Sequence, residues 1–142
     1  MIRIILFSLL CPGWALACTC MAYSDDPEIA VTQAFSQAHV VFLGEVTTIR
    51  NKGSLFVKTR QVSFSVKETW KGTVGDEAMV NTNDGEIACG YPFRARRTYL
   101  VFAHRGESRD VLTTSLCDLN RIQSKARSLM PILDQLEQSA SK

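Results

Sequence analysis

Residues 15–23 read ALACTCMAY. Cys18 and Cys20 are two positions apart, with only Thr19 between them, and they directly follow Ala15-Leu16-Ala17. In an extended segment, residues two apart point the same way. A bond between cysteines this close would form a strained ring, so each is expected to pair with a distant cysteine. The segment is therefore predicted to be cross-linked twice to the rest of the chain, and this double attachment organises the fold.

The residues before Cys18 have the order of a secretory signal peptide. Arg3 forms a short basic region, and residues 4–10 are apolar except for one serine. Pro12-Gly13 breaks any helix, and Ala15-Leu16-Ala17 supplies small residues at the cleavage site. The apolar stretch is far shorter than the ~20 residues that a bilayer span needs. We expect cleavage of residues 1–17 and secretion to an extracellular or periplasmic location.

A lipoprotein signal is the alternative interpretation, because a cysteine follows the cleavage point. Lipoprotein processing usually requires Leu three residues before the cysteine, but Ala15 occupies that place and Leu16 comes one residue later. Lipidation would block the amino group of Cys18. A lipid-anchored envelope protein would thus differ from a secreted one at a single nitrogen atom.

The mature chain would keep four cysteines and about 125 residues, enough for a single domain from 18 to 142. An even number of cysteines in an exported chain indicates two disulfides. Excluding a bond within the Cys-x-Cys segment leaves two pairings, and both close loops of about 70 to 100 residues. A metal or redox site is the alternative for Cys-x-Cys. Export, the even count and the lack of nearby histidines argue against it.

Charge and motifs exclude several classes of function. The formal charge of +2 falls to +1 without Arg3, which provides no long-range attraction for nucleic acid or an anionic membrane. No basic stripe with interleaved aromatic residues is present. The two histidines, His39 and His104, belong to no catalytic or zinc motif. We therefore expect a monomer that is not an enzyme and has no cofactor of its own. Its partner is expected to be another protein or a small ligand.

Periodicity predicts a mainly β fold with flanking helices. Asp25-Asp26-Pro27-Glu28 predicts a helix start, followed by an apolar stripe. Five strand-like stretches, with Asn51-Lys52-Gly53 as the turn after the first, indicate a closed or nearly closed antiparallel barrel. The tail, about 119–138, predicts a helix that covers one side and is kinked at Pro131. The apolar stripe predicted for the helix that starts near Asp26 consists of Ile29, Ala34, Phe35 and Ala38.

Five segments in order resemble the N-terminal inhibitory domain of the tissue inhibitors of metalloproteinases. They are C-T-C at 18–20, V-F-L-G-E-V at 41–46, W-K-G at 70–72, E-I-A-C-G-Y at 86–91 and T-T-S-L-C at 113–117. The likeness spans nearly the whole predicted barrel, and the cysteine positions anchor it. It implies a netrin-like OB-fold, a five-stranded barrel, and the disulfides Cys18–Cys89 and Cys20–Cys117.

The resemblance also implies a mechanism. The α-amino nitrogen and carbonyl oxygen of Cys18 would chelate the catalytic zinc of a target metalloprotease, and Thr19 would enter its specificity pocket. A second contact segment would lie beside this wedge. The implied target-binding residues are Thr19, Cys20, Glu86, Ile87 and Ala88.

Within residues 1–142, no cysteines correspond to the family's third disulfide or to its cysteine-rich second domain. Met21-Ala22-Tyr23 also replaces a stretch that often contains proline. The alternative is a non-inhibitory OB-type module that binds another protein with the same scaffold, because a shared fold does not imply a shared ligand.

Overall fold

The computed structural model describes residues 18–54, 58–85, 88–107 and 111–141. The predicted signal peptide, residues 1–17, lies outside the described residues. No helix within these ranges is long and apolar enough to cross a membrane. The elements in chain order are α1 (Pro27–Gln37), β1 (Val40–Gly53), β2 (Lys58–Lys71), β3 (Glu77–Asn83), β4 (Thr98–Arg105), β5 (Leu112–Thr113), β6 (Arg121–Ile122), α2 (Gln123–Ala126) and α3 (Met130–Ala140).

The first helix begins where the sequence predicts. The Asp26 carboxylate accepts hydrogen bonds from the N–H groups of Glu28 and Ile29 at 2.8 and 3.2 Å, which caps the helix. The predicted apolar stripe is wrong at one position, because Ile29 is 51 % exposed. At 3.6 residues per turn, Ile29 lies nearly opposite the buried face around Val31 and Ala34.

Five strands close into a ring. Their order is β1-β2-β3-β5-β4, with β4 paired to β1, and β6 extends the sheet from β4. The mainly β prediction and the five-strand closure are confirmed, but the sheet is mixed and not wholly antiparallel, because β3 and β5 run parallel. A ring with an odd number of strands cannot alternate direction throughout, so one parallel pair is required.

The first hairpin is longer than predicted. Asn51-Lys52-Gly53 is not a turn but the end of β1, where Lys52 pairs with Thr59 and Gly53 with Lys58. Cross-strand pairing over the full length of β2 outweighs the turn preference of these residues. The chain reverses only after Gly53, so the hairpin carries a long two-stranded ribbon.

Two cores lie on either side of β1 and β4. The ring interior is filled by aromatic and β-branched residues, with Phe42, Phe64 and Phe93 among the largest buried side chains. The second core lies between the outside of the ring and the helices, around Leu133. Trp70 ties the ring to α3 by donating its indole N–H to Asp134 at 2.7 Å.

The predicted C-terminal helix begins later than expected and is divided into two helices before Pro131. Residues 121–122 form β6 by pairing with β4, so helical structure begins only at Gln123. Residues 127–129 separate α2 from α3, and Pro131 lies in the first turn of α3. Proline lacks the N–H that a continuous helix would need there. The predicted kink is therefore a break between two helices.

Candidate functional site

Two disulfides attach the N-terminal segment to the ring. Cys18 is bonded to Cys89 and Cys20 to Cys117, with Cα–Cα distances of 5.3 and 5.1 Å. The pairing implied by the resemblance is confirmed. Disulfides persist in oxidising compartments, so these bonds indicate an extracellular type of environment.

The two disulfides lie against each other. The Cys18 sulfur is 3.7 Å from the Cys117 sulfur and 3.9 Å from the Cys20 sulfur. The sulfur atoms of Cys18, Cys89 and Cys117 fall within 4.8 Å, a spacing that metal-binding thiolates would also show. Here the sulfurs are bonded to one another, so no thiolate is present to hold a metal. The arrangement is a structural cross-link.

The segment bonded to Cys18 is fixed to the end of β3. Asn83 donates its side-chain N–H to the Ala88 carbonyl at 2.7 Å, and the Gly90 N–H donates to the Gly85 carbonyl at 2.9 Å. A Cβ atom at Gly90 would lie 1.9 Å from the Asn83 carbonyl oxygen, so only glycine allows this approach. Cys89 adopts φ 61°, a left-handed conformation that costs a residue with a side chain about 1 kcal/mol.

The turn that carries Cys117 is organised by Asp118. Its carboxylate accepts hydrogen bonds from the Ser115 N–H at 2.6 Å and from the hydroxyls of Ser115 and Thr114 at 3.0 and 3.1 Å. The His104 ring nitrogen Nε2 lies 2.7 Å from the other carboxylate oxygen. One half-buried carboxylate therefore joins β4 to the turn whose Cys117 is bonded to Cys20.

A fully buried polar residue, Asn120, completes this network. Asn120 is 0 % exposed and donates to the Thr114 hydroxyl at 2.8 Å and to the Ser115 carbonyl at 3.1 Å. Its side-chain oxygen accepts the Phe102 N–H at 2.8 Å. Buried polar groups that are fully paired rigidify the structure around them. The Cys117 turn is thus held in one conformation.

The pKa values of the pair reflect this geometry. The hydrogen bond to Asp118 raises the pKa of His104, although burial acts in the opposite direction. Burial by itself raises the pKa of Asp118, but hydrogen bonds from His104 and Ser115 outweigh it and hold the pKa below its usual range. The charged forms of both partners are therefore favoured in the fold.

The structure brings most of the predicted site residues to one end of the ring. Glu86 and Ile87 lie outside the described residues. Beyond the cross-link, Met21 is 93 % exposed, so the chain leaves the second disulfide in contact with solvent. Among the predicted site residues, those described are half-buried Cys18 and exposed Thr19, Cys20 and Ala88.

Sequence reasoning missed the polar network behind this end. His104 and Asp118 are separated by fourteen positions in strand-like and turn-like sequence, and no motif links them. Asp118 directly follows a predicted cross-linking cysteine, which is the only signal available in the sequence. The contact depends on the pairing of β4 with β5, which places Thr113 opposite His104.

No model of a known protein family matches this chain, and no curated protein is significantly similar to it.

Proposed function

We propose that the chain is a secreted inhibitor of zinc metalloproteases with an OB-fold, and that the mature protein begins at Cys18. In this proposal, the α-amino nitrogen and carbonyl oxygen of Cys18 bind the catalytic zinc of the target enzyme. The observation that carries the proposal is the double cross-link. Cys18 and Cys20 are both bonded to the ring, and exposed Thr19 lies between them.

The zinc chemistry of this device is simple. A catalytic zinc keeps one coordination position for water or substrate. An amine and a carbonyl of the same residue close a five-membered chelate ring at that position and displace the water. An α-amino group has a pKa of about 8, so zinc displaces its proton near neutral pH at modest cost. The inhibitor needs no metal of its own.

Rigidity supports the proposal thermodynamically. A free N-terminus normally frays, and ordering it on binding reduces affinity. Here two disulfides attach the segment to Cys89 and Cys117. The hydrogen bond from Asn83 to the Ala88 carbonyl and the hydrogen bonds to Asp118 hold these two attachment points in place before a target binds. The ordering cost is met during folding, so binding energy is not spent on it.

The neighbours of Cys18 supply the remaining contacts. Thr19 is exposed between the two cross-links and, in the proposal, enters the pocket beside the zinc. Ala88 is exposed and adjoins Cys89, so the disulfide places a second segment next to the first. Glu86 and Ile87 precede Ala88 and belong to this second contact in the proposal. Thr19 is expected to set which proteases are bound.

The test compares two forms of the protein against a panel of zinc metalloproteases. One begins at Cys18, and the other carries a single additional Ala before it. The extension converts the amine into an amide, which cannot chelate zinc, so we expect at least a 100-fold rise in the inhibition constant. A matched control adds the same Ala after Lys142, where no effect is expected.

Equal inhibition by the native and N-terminally extended proteins would disprove zinc chelation. Unfolding of the extended protein by urea should match that of the native form, so that any loss of inhibition reports the amine alone. If no protease in the panel is inhibited, the result would instead favour a non-inhibitory binding module. N-terminal analysis of the exported protein identifies the cleavage site and any lipid on Cys18.

A further inference from the structure

The outer face of the sheet carries a row of polar residues that the N-terminal site does not use. Arg50 in β1 pairs with Gln61 in β2, Gln61 with Asn81 in β3, and Asn81 with Thr113 in β5. Residues directly opposite each other in neighbouring strands project from the same face. These four side chains therefore form one row across four strands.

A second row lies one step closer to the hairpin end. Lys52 pairs with Thr59, and Thr59 with Asn83. Residues two apart along a strand share a face, so both rows are on the same side of the sheet. The residues that alternate with them on the inner face include Val62, Val80 and Thr82, which are buried in the ring. The two rows consequently face outward.

The side chains of these rows change from charged to neutral across the strands. The β1 edge is cationic, with Arg50 and Lys52 exposed, and the strands that follow carry amides and hydroxyls. Within the described ranges, the ion pairs are Lys67–Glu45 and His104–Asp118, so neither cation of this edge has a carboxylate partner there. At about 4.8 Å per strand, four strands span roughly 15 Å.

The neutral part of this face opens into a cleft. Its volume is about 660 Å³, and its walls include Thr59, Asn81, Asn83 and Thr113 from the two rows. The same cleft is also lined by Glu107 and by His104 and Asp118, the pair that holds the Cys117 turn. A ligand that follows the face thus meets positive charge at one end and, at the other, neutral hydrogen-bonding groups next to the carboxylates of Glu107 and Asp118.

We propose that this face, composed of Arg50, Lys52, Thr59, Gln61, Asn81, Asn83 and Thr113, binds an acidic oligosaccharide. Its sulfate, phosphate or carboxylate groups lie at the β1 edge, where guanidinium and ammonium groups bind them. Its sugar hydroxyls lie over the amides and hydroxyls of β2, β3 and β5. Asn83 also donates to the Ala88 carbonyl of the N-terminal site, but binding at this face does not require a free Cys18 amine.

The same geometry disfavours two other polyanions. None of the Phe, Tyr and Trp residues in the described part of the chain is exposed, so the described residues of this face offer no stacking surface of the kind that single-stranded nucleic acid uses. A flat membrane would need the cations of the hairpin to share one plane. Arg60 instead projects from the opposite side of the ribbon, where it donates to the Phe93 carbonyl at 3.1 Å.

The test measures binding of hexasaccharides of heparin, chondroitin sulfate and polygalacturonate by calorimetry at several salt concentrations. Replacing both cations of the face, R50E/K52E, should weaken binding of the best hexasaccharide at least 10-fold. The dependence of log K on log[salt] should also become less steep, because two ionic contacts are removed. The neutral change Q61A/N81A should weaken binding about 3- to 10-fold without changing the salt dependence.

The matched control is R94E/R97E. It makes the same change in net charge at two exposed arginines in the segment that follows Phe93, whose carbonyl accepts from Arg60 on the other side of the hairpin. Equal losses in R50E/K52E and R94E/R97E would show a net-charge effect and overturn the proposal. So would binding of none of the hexasaccharides, or tighter binding of phosphatidylglycerol vesicles or oligo(dT). The protein with an additional Ala before Cys18 should bind the hexasaccharide normally, which separates this site from the inhibitory one.

Discussion

The helix-covered side of the ring and its N-terminal end are stabilised in different ways. On the helix side, α1 and α3 bury apolar side chains such as Val31, Phe102 and Leu133 against the outside of the sheet. At the N-terminal end, exposed residues are attached by two disulfides, and hydrogen bonds to Asp118 hold the turn that carries one of them. The first region is held by the exclusion of water, and the second by covalent and polar attachments.

This difference allows rigidity and exposure to coexist. Apolar burial orders a segment only by hiding it, so it cannot hold a recognition segment in solvent. Cross-links restrict the unfolded chain and leave the side chains between them accessible. Changes on the helix side should therefore alter global stability, whereas changes at the N-terminal end should also alter what the exposed segment can bind.

The largest effect is expected from removing a cross-link. The change C20S/C117S opens a loop with a sequence separation of 97 residues, for which chain entropy gives about 4 to 5 kcal/mol as an upper value. Urea unfolding should show this loss, and protease inhibition should decrease more than stability alone predicts. A loss below about 1 kcal/mol would mean that the Asp118 network orders the turn without the disulfide.

A smaller loss of stability is expected from the core of the helix side. Leu133 is fully buried, so Leu133→Ala should cost about 3 kcal/mol in urea unfolding through lost burial and the cavity left behind. The half-buried Leu136 in the same helix is the matched control and should cost less. Inhibition by the folded variant should stay unchanged. An equal loss of inhibition in Leu133→Ala and C20S/C117S would contradict the separation of the two regions.

The cap of α1 tests the helix side more finely. Asp26→Ala removes the carboxylate that accepts two backbone N–H groups and should cost about 1 kcal/mol. Thermal unfolding followed by circular dichroism measures the change. Asp25→Ala is the control, since the neighbouring exposed aspartate does not cap the helix. If the two variants lose stability equally, general charge effects and not capping explain the result.

The smallest effect is the pH dependence of the Asp118 network. His104 has a raised pKa in the fold, so its contribution is complete below its unfolded pKa of about 6.5 and is lost as pH rises through the folded value. Asp118 has a lowered pKa, so its contribution is present above about 4 and is lost as pH falls further. The pair should stabilise most between about pH 4 and 6.5, by about 1 kcal/mol or less because His104 is partly exposed.

Urea unfolding at pH 5.5 and pH 8.5 measures this contribution. His104 also faces the Gln37 carbonyl, which raises its pKa, and Lys71, which lowers it. His104→Gln should remove the part of the pH dependence above pH 6.5. His39→Gln is the control: the His39 ring packs against His104 with the centroids 6.4 Å apart, but His39 is exposed and has no carboxylate partner among the described residues. An unchanged pH profile in His104→Gln would exclude the pair as its cause.

Much of the local structure was predictable because its causes are local. The start of α1 depends on Asp26 and Pro27, and the strands depend on short runs of alternating apolar residues. The errors come from longer-range competition. Asn51-Lys52-Gly53 was predicted as a turn because of its composition, but pairing with β2 continues the strand through it.

The candidate site was predictable only where cysteine spacing reveals it. Cys18 and Cys20 indicate cross-linking, and the resemblance to a known family selects their partners. The network of His104, Asp118 and Asn120 gives no such signal, because its members meet only after β5 inserts between β3 and β4. The cations and amides of the outer face likewise share a row only in the registered sheet.

By itself, the sequence determined a cysteine-linked, mainly β chain with a capped first helix, because capping, alternation and cysteine spacing act over short distances. The tertiary structure decided the parallel pair that closes the ring, the length of the first hairpin and the polar groups that meet behind Cys117. These features arise from pairing between distant strands. The free energy of such pairing belongs to the assembled sheet and cannot be assigned to any one segment.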